Sequence, residues 1–243
     1  MSTATTQRGG RRLAGRVVLV TGAYGGYGRA LALACARAGA RLVLLGRDAR
    51  KLERLADAVE QAGGEALLYP LDLEGATPDD YAELAERVRE GATRLDALVH
   101  CAAGFAGLTP LEHTDPAAFA RALHVALTAR WWLTRGCLPL LRDSGAGRVV
   151  FAIDPTPRAA PAYWGGYGVA QQAQEALVAM LQAETASSPL HVHALHLPPL
   201  RTPLRARAYA ADDDRLARDP AAFTDACLDL LAAPASEPDG APA

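Results

Sequence analysis

Residues 17–28 read Val-Val-Leu-Val-Thr-Gly-Ala-Tyr-Gly-Gly-Tyr-Gly, and no other stretch constrains the fold as much. An apolar run that stops at Thr21 reads as a buried strand. Glycines follow at 22, 25, 26 and 28, then an Ala/Leu-rich helix former from Arg29 to Ala38. Strand, tight glycine turn and helix therefore come in that order. Such a turn lets a backbone approach a pyrophosphate, and the helix start offers free N–H groups and a positive dipole end. The strand before and the helix after supply the context that a glycine motif needs. The plainer alternative is a strand-to-helix turn with no ligand.

Alternation continues downstream. Strands are expected over 41–46, 66–71, 95–100, 148–153 and 190–196. Helices are expected over 49–62, 78–90, from Asp115-Pro116 toward 135, in a second piece around Pro139, over 163–185 and near 220–232. Nearly all-apolar strands separated by helices mean a parallel sheet covered on both faces. The expected fold is α/β, a single Rossmann-like doubly wound parallel sheet. Residues 1–13 are expected as a flexible N-terminal tail, 14–232 as the domain, and 233–243, rich in Pro and Ala, as a disordered C-terminal tail.

Half of the 243 residues are hydrophobic, enough for one substantial core. A net charge of −2 gives no reason to invoke nucleic acid or an anionic membrane. Cys35, Cys101, Cys137 and Cys227 are scattered, with no CxxC pair, and read as buried apolar groups in a reducing compartment. No apolar run approaches a membrane span, and the N-terminus lacks the apolar segment of a secretory signal, so a cytoplasmic location is expected. His191, His193 and His196 on one strand do not share a face, so no metal site is expected. A G-x-S-x-G nucleophile elbow is absent.

From about residue 13 to 207 the chain resembles the short-chain dehydrogenase/reductase family. The resemblance rests on Thr21-Gly22 through Gly26 and Gly28, Leu71-Asp72-Leu73, Asp96 through Gly104, Leu133-Thr134-Arg135 with Leu138-Pro139, and Ala162 through Tyr167. The wording around Leu44-Leu45-Gly46-Arg47, Tyr69 to Glu74 and Tyr163-Trp164-Gly165 is closest to the family's YciK-like branch. The resemblance implies an NAD(P)-dependent carbonyl–alcohol oxidoreductase. It puts Gly22, Tyr24, Gly26, Gly28, Arg47, Asp72, Leu73, Ala102 and Thr202 at the cofactor. Arg47 at the end of strand 2 favours a 2′-phosphate, hence NADP(H) over NAD(H). Tyr24 and Tyr27 are bulky for this turn; they pack as core or lid residues, or fill part of the phosphate site. The resemblance also implies a homo-oligomer, dimer or tetramer, through the helices bearing Trp131 and Tyr167.

The family's catalytic set is Asn, Ser, Tyr and Lys. Here those positions hold Ala126, Asp154, Tyr167 and Gln171. After strand 6, Pro198 stands where the family has glycine. Gln171 carries no charge to lower the tyrosine pKa. An ionised Asp154 about 4 Å from the phenol would oppose phenolate formation by roughly 4 kcal/mol at an effective dielectric of about 20. A carboxylate also lacks the proton a serine gives to a carbonyl oxygen. The expected function is an NADP(H)-binding protein whose carbonyl reductase chemistry is lost or strongly weakened, acting as a non-catalytic partner or regulator. The alternative is an active NADP(H)-dependent reductase using Tyr167 and a protonated Asp154 on a small carbonyl ligand. A third reading is redox-neutral acid–base chemistry by the same pair.

Overall fold

A computed structural model describes residues 11–209 and 215–234. The tail expectations for residues 1–10 and 235–243 lie outside the described residues. Packed chain begins before residue 14: Leu13 is fully buried, and Arg12 pairs with Asp225 and Asp229.

The strands are β1 (Val17–Thr21), β2 (Arg41–Gly46), β3 (Glu65–Pro70), β4 (Ala97–His100), β5 (Arg148–Ile153) and β6 (His191–His196). They form one parallel sheet in the order β3-β2-β1-β4-β5-β6. The chain reverses its winding between β1 and β4, where Thr21 lies beside His100. Ligands in such sheets bind at the carboxyl ends of the strands at this switch point.

Side-chain alternation along each strand divides the core between two faces. Val17, Leu19, Val43 and Leu45 face α3 (Pro78–Ala92), α5 (Ala129–Asp143) and α7 (Gly165–Thr185). Val18, Val20, Leu42 and Leu44 face α1 (Gly26–Arg37), α2 (Ala49–Gln61) and α9 (Thr224–Ala232). No helix among the described residues is long and apolar enough to cross a membrane.

The structure departs from the sequence expectation at several local points. β4 starts at Ala97, with Asp96 at its entry: the Asp96 carboxylate accepts the Val17 N–H at 2.8 Å and pairs with Arg94, while its backbone bonds to Val17 and Arg148 on either side. The break expected before Pro139 is absent, and α5 runs through it. Its neighbours Cys137, Leu140 and Leu141 are buried, so packing holds the helix across the missing amide. The irregularity sits upstream instead. α4 (Pro116–Leu123) passes into a π-helical turn, His124–Thr128, before α5 begins. Two short helices, α6 (Thr156–Ala159) and α8 (Pro203–Ala208), form in stretches that read as loops.

Candidate dinucleotide and catalytic site

The glycine turn is built for close backbone approach. Gly22 has φ +58, and a Cβ there would stand 2.7 Å from the Ala102 Cα. Only glycine fits that conformation and that gap. The buried Thr21 hydroxyl accepts the N–H groups of Cys101 at 3.0 Å and Ala102 at 3.1 Å, joining the ends of β1 and β4. α1 then starts with Gly25 as its N-cap and no side-chain cap. Its first amides are left for another acceptor.

Each expected cofactor residue has a defined place. A Cβ on Gly28 would strike the Gly22 carbonyl, so that glycine lets α1 sit on its own turn. A Cβ on Gly26 would strike the side chain of Thr202, which caps α8 by accepting the Arg205 N–H at 3.2 Å. The Tyr24 ring lies against Gly46, its hydroxyl accepts the Asp48 N–H at 3.3 Å, and the Lys51 ammonium stands 5.5 Å from the ring centre. Tyr27 is core: it is buried and donates to the Phe223 carbonyl at 3.2 Å. Arg47 is exposed at the end of β2. Its neighbour Asp48 is committed to capping α2, where the Lys51 backbone N–H holds its carboxyl below the usual range. Asp72 is exposed and accepts the Glu74 N–H at 3.1 Å, while Leu73 is buried beside it. Ala102 is half-buried over the switch point.

The residues at the family's catalytic positions lie on the opposite side of that switch point. Asp154 follows β5, Tyr167 and Gln171 are one turn apart on α7, and Ala126 is buried inside the π-helical turn. The Tyr167 hydroxyl donates to Asp154 Oδ2 at 3.1 Å. Asp154 Oδ1 accepts the Thr156 N–H at 2.8 Å. Gln171 Oε1 accepts the Asp154 N–H at 2.9 Å, so the residue at the lysine position is tied to the backbone of the residue at the serine position. Tyr167 is 4% exposed, walled by Phe105 at 5.2 Å and Trp164 at 5.7 Å between ring centres. Burial first, and Asp154 second, push its pKa well above the ordinary value.

Two further residues belong here. Arg130, one turn after Ala126, is fully buried; it donates to the carbonyls of Ala102 at 2.6 Å and Ala152 at 3.2 Å, and to Gln174 Oε1. Gln174 itself is fully buried on the α7 face that carries Tyr167 and Gln171. Sequence reasoning passed over both. The available signal was a charged residue among the apolar positions 126, 129, 133 and 137 of one helical face. His100 lies 4.6 Å from the Phe151 ring centre and shares a hydrogen bond of 2.8 Å with Thr134. No group of metal-ligating side chains occurs among the described residues.

The short chain dehydrogenase family model matches residues 16–213. This chain is a member of the short-chain dehydrogenase family. The family's Escherichia coli (strain K12) oxidoreductase YciK is 33% identical over 207 residues, 85% of this chain and 82% of YciK. A short chain dehydrogenase from Pseudomonas syringae superposes with a TM-score of 0.87 at 37% identity, covering 91% of this chain and 90% of that one. A Shigella flexneri family member complexed with NADP gives 0.87 at 32% identity, over 91% and 92% of the two chains. An Escherichia coli CFT073 member complexed with NADPH gives 0.86 at 33%, over 91% and 92%.

Proposed function

We propose that this short-chain dehydrogenase family member binds NADP(H) and that its carbonyl reductase chemistry is suppressed by the Tyr167–Asp154 pair, leaving it a non-catalytic partner or regulator. The single observation that carries the reading is the Tyr167 hydroxyl donating to Asp154 Oδ2.

The chain's residues fit a dinucleotide. The positive-φ Gly22, the uncapped start of α1 and the exposed Arg47 give a close backbone approach, free amides and a cation for a 2′-phosphate. When bound, the nicotinamide supplies a hydride donor or acceptor. Ala102, just after β4, stands against Gly22, and Thr202, at the start of α8, stands against Gly26. Family members with 30% or more identity are complexed with NADP and NADPH, which supports the same ligand here.

The proton side works against turnover. Reduction of a carbonyl needs a proton delivered to its oxygen, leaving a phenolate behind. At Tyr167 that phenolate would form in a buried site, 3.1 Å from a carboxylate oxygen. Both factors raise its energy. Gln171 is neutral and already occupied by the Asp154 amide. Ala126 offers no side-chain polar group within the π-helical turn. Self-association through the outer faces of α5 and α7 belongs to the same reading, since Trp131, Val169 and Met180 are exposed there.

Calorimetry with NADPH and NADH, paired with NADPH consumption over a panel of ketones and aldehydes, tests this directly. The expected result is binding that prefers NADPH, with turnover no greater than that of Tyr167→Phe. Turnover that Tyr167→Phe abolishes would overturn the suppression, and failure to bind either nucleotide would overturn the ligand.

A further inference from the structure

The carboxyl end of β2 is covered by one of the chain's own side chains. Gly46 is buried there, and a Cβ on it would stand 2.5 Å from Tyr24 Cε1, so the phenol ring packs directly on the glycine backbone. Residues 22–26 are otherwise Gly or Ala, which leaves Tyr24 as the one long side chain of that turn. Its hydroxyl reaches past Gly46 and accepts the Asp48 N–H at 3.3 Å. An ordinary bond of this kind is about 2.9 Å, so the phenol is a weak partner for that amide.

Charge surrounds the contact. The Lys51 ammonium stands 5.5 Å from the Tyr24 ring centre and 3.5 Å from Asp48 Oδ2. Asp48 Oδ1 accepts the Lys51 N–H at 3.1 Å, which commits the carboxylate to the start of α2. Arg47 is exposed on the same turn. In dinucleotide-binding sheets of this topology, the end of the second strand meets the ribose 2′ position, and an arginine there takes a 2′-phosphate. The Asp48 N–H is the backbone donor next to that arginine. An ionised phosphate oxygen bonds an amide more strongly than a neutral phenol does.

We propose that Tyr24 is a specificity-determining residue whose hydroxyl holds the Asp48 amide in place of a 2′-phosphate, so that it weakens NADP(H) binding and leaves NAD(H) binding unchanged. The proposal deepens the NADP(H) reading and rests on it. NADP(H) must evict the phenol hydroxyl before its 2′-phosphate can use the Asp48 N–H. NAD(H) presents only a neutral 2′-hydroxyl and has no charge with which to claim that donor. The preference that Arg47 gives to the phosphorylated nucleotide is therefore blunted, without being abolished, by the chain's own phenol.

Calorimetry with NADPH and with NADH on Tyr24→Phe and its parent reads the competition. Tyr24→Phe keeps the ring on Gly46 and removes only the hydroxyl. NADPH should bind about fivefold more tightly, the worth of one ordinary hydrogen bond, with NADH unchanged. Arg47→Gln, in either background, should weaken NADPH and spare NADH, which places the phosphate at this turn. Weaker NADPH binding by Tyr24→Phe would make the hydroxyl a phosphate ligand and not its competitor. Equal tightening of both nucleotides would assign the effect to a freer ring. No change for either, or NADPH binding that Arg47→Gln spares, would leave the hydroxyl nothing to displace. Each of these three results overturns the proposal while the NADP(H) reading stands. Absence of nucleotide binding by parent and variants alike overturns that reading, and the role of Tyr24 with it.

Discussion

At the residue scale the chemistry turns on who holds the Tyr167 proton. The Tyr167 hydroxyl donates to Asp154, and Gln171 is locked to the Asp154 amide. Restoring a serine and a lysine at these positions should release the tyrosine. In Asp154→Ser with Gln171→Lys, the phenol loses its carboxylate and gains an ammonium one helical turn away. NADPH-dependent reduction of a small aldehyde should rise by about a hundredfold over the parent, the lower end of what positioned acid–base catalysis contributes. Gln171→Lys alone should gain far less, because Asp154 still holds the proton and the new cation pairs with it. It should also lower stability, since Gln171 is buried and a charge there must be desolvated. Steady-state assays on the two single variants and the double variant check the order. A Gln171→Lys variant as active as the double variant would show that Asp154 is not the brake.

At the element scale the site is a seam between β1 and β4, and Thr21 closes it. Two amides at the start of the β4 loop have the Thr21 hydroxyl as acceptor, and the hydroxyl is fully buried. Thr21→Val keeps the shape but leaves both N–H groups without their acceptor. The expected loss is about 2 kcal/mol in urea unfolding, with weaker NADPH binding, because the Ala102 turn loses one of its two anchors. Most of this frame was legible in the sequence. The apolar run to Thr21, the four glycines and the Ala/Leu helix specify strand, turn and helix through local chemistry alone. The family resemblance put Asp154 and Tyr167 at one site, and the hydroxyl and carboxylate do meet. Arg130 showed in the sequence only as a charge on an apolar helical face, and Gln174 not at all; their partners are backbone carbonyls and each other across 44 residues of chain. Nor was the continuity of α5 legible through Pro139, where tertiary burial overrides a local rule that holds for isolated helices. Tyr27 was open between core and phosphate site until Phe223, just ahead of α9, supplied its carbonyl from the far end of the chain.

At the scale of the whole molecule, buried titratable groups should confine stability to a window around neutral pH. His100 sits at the end of β4 with its ring inside the core, and burial, aided by Arg130, holds its pKa well below 6.5. The folded state keeps a neutral imidazole, whereas the unfolded chain takes up a proton below about 6.5. Stability is therefore present above that value and falls as pH drops through it. His191 and His193 are shifted in the same direction by partial burial and by Arg148, and add to the same limb. On the alkaline side, burial pushes the thiols of Cys101 and Cys137 and the phenol of Tyr81 up to about 12. These groups keep their protons when folded, while unfolded cysteines ionise from about 8.5 and tyrosines from about 10. Stability is present below those values and is lost as pH rises toward 12. The urea midpoint should thus be flat between about pH 7 and 8 and fall on both sides. His100→Gln can still hydrogen-bond Thr134 but cannot take up a proton, so it should flatten the acid limb by up to about 1.4 kcal/mol per pH unit while leaving the alkaline limb unchanged. An acid limb that begins only below pH 5, or one that His100→Gln leaves untouched, would mean that exposed carboxylates and not the buried imidazole set the stability of this fold in acid.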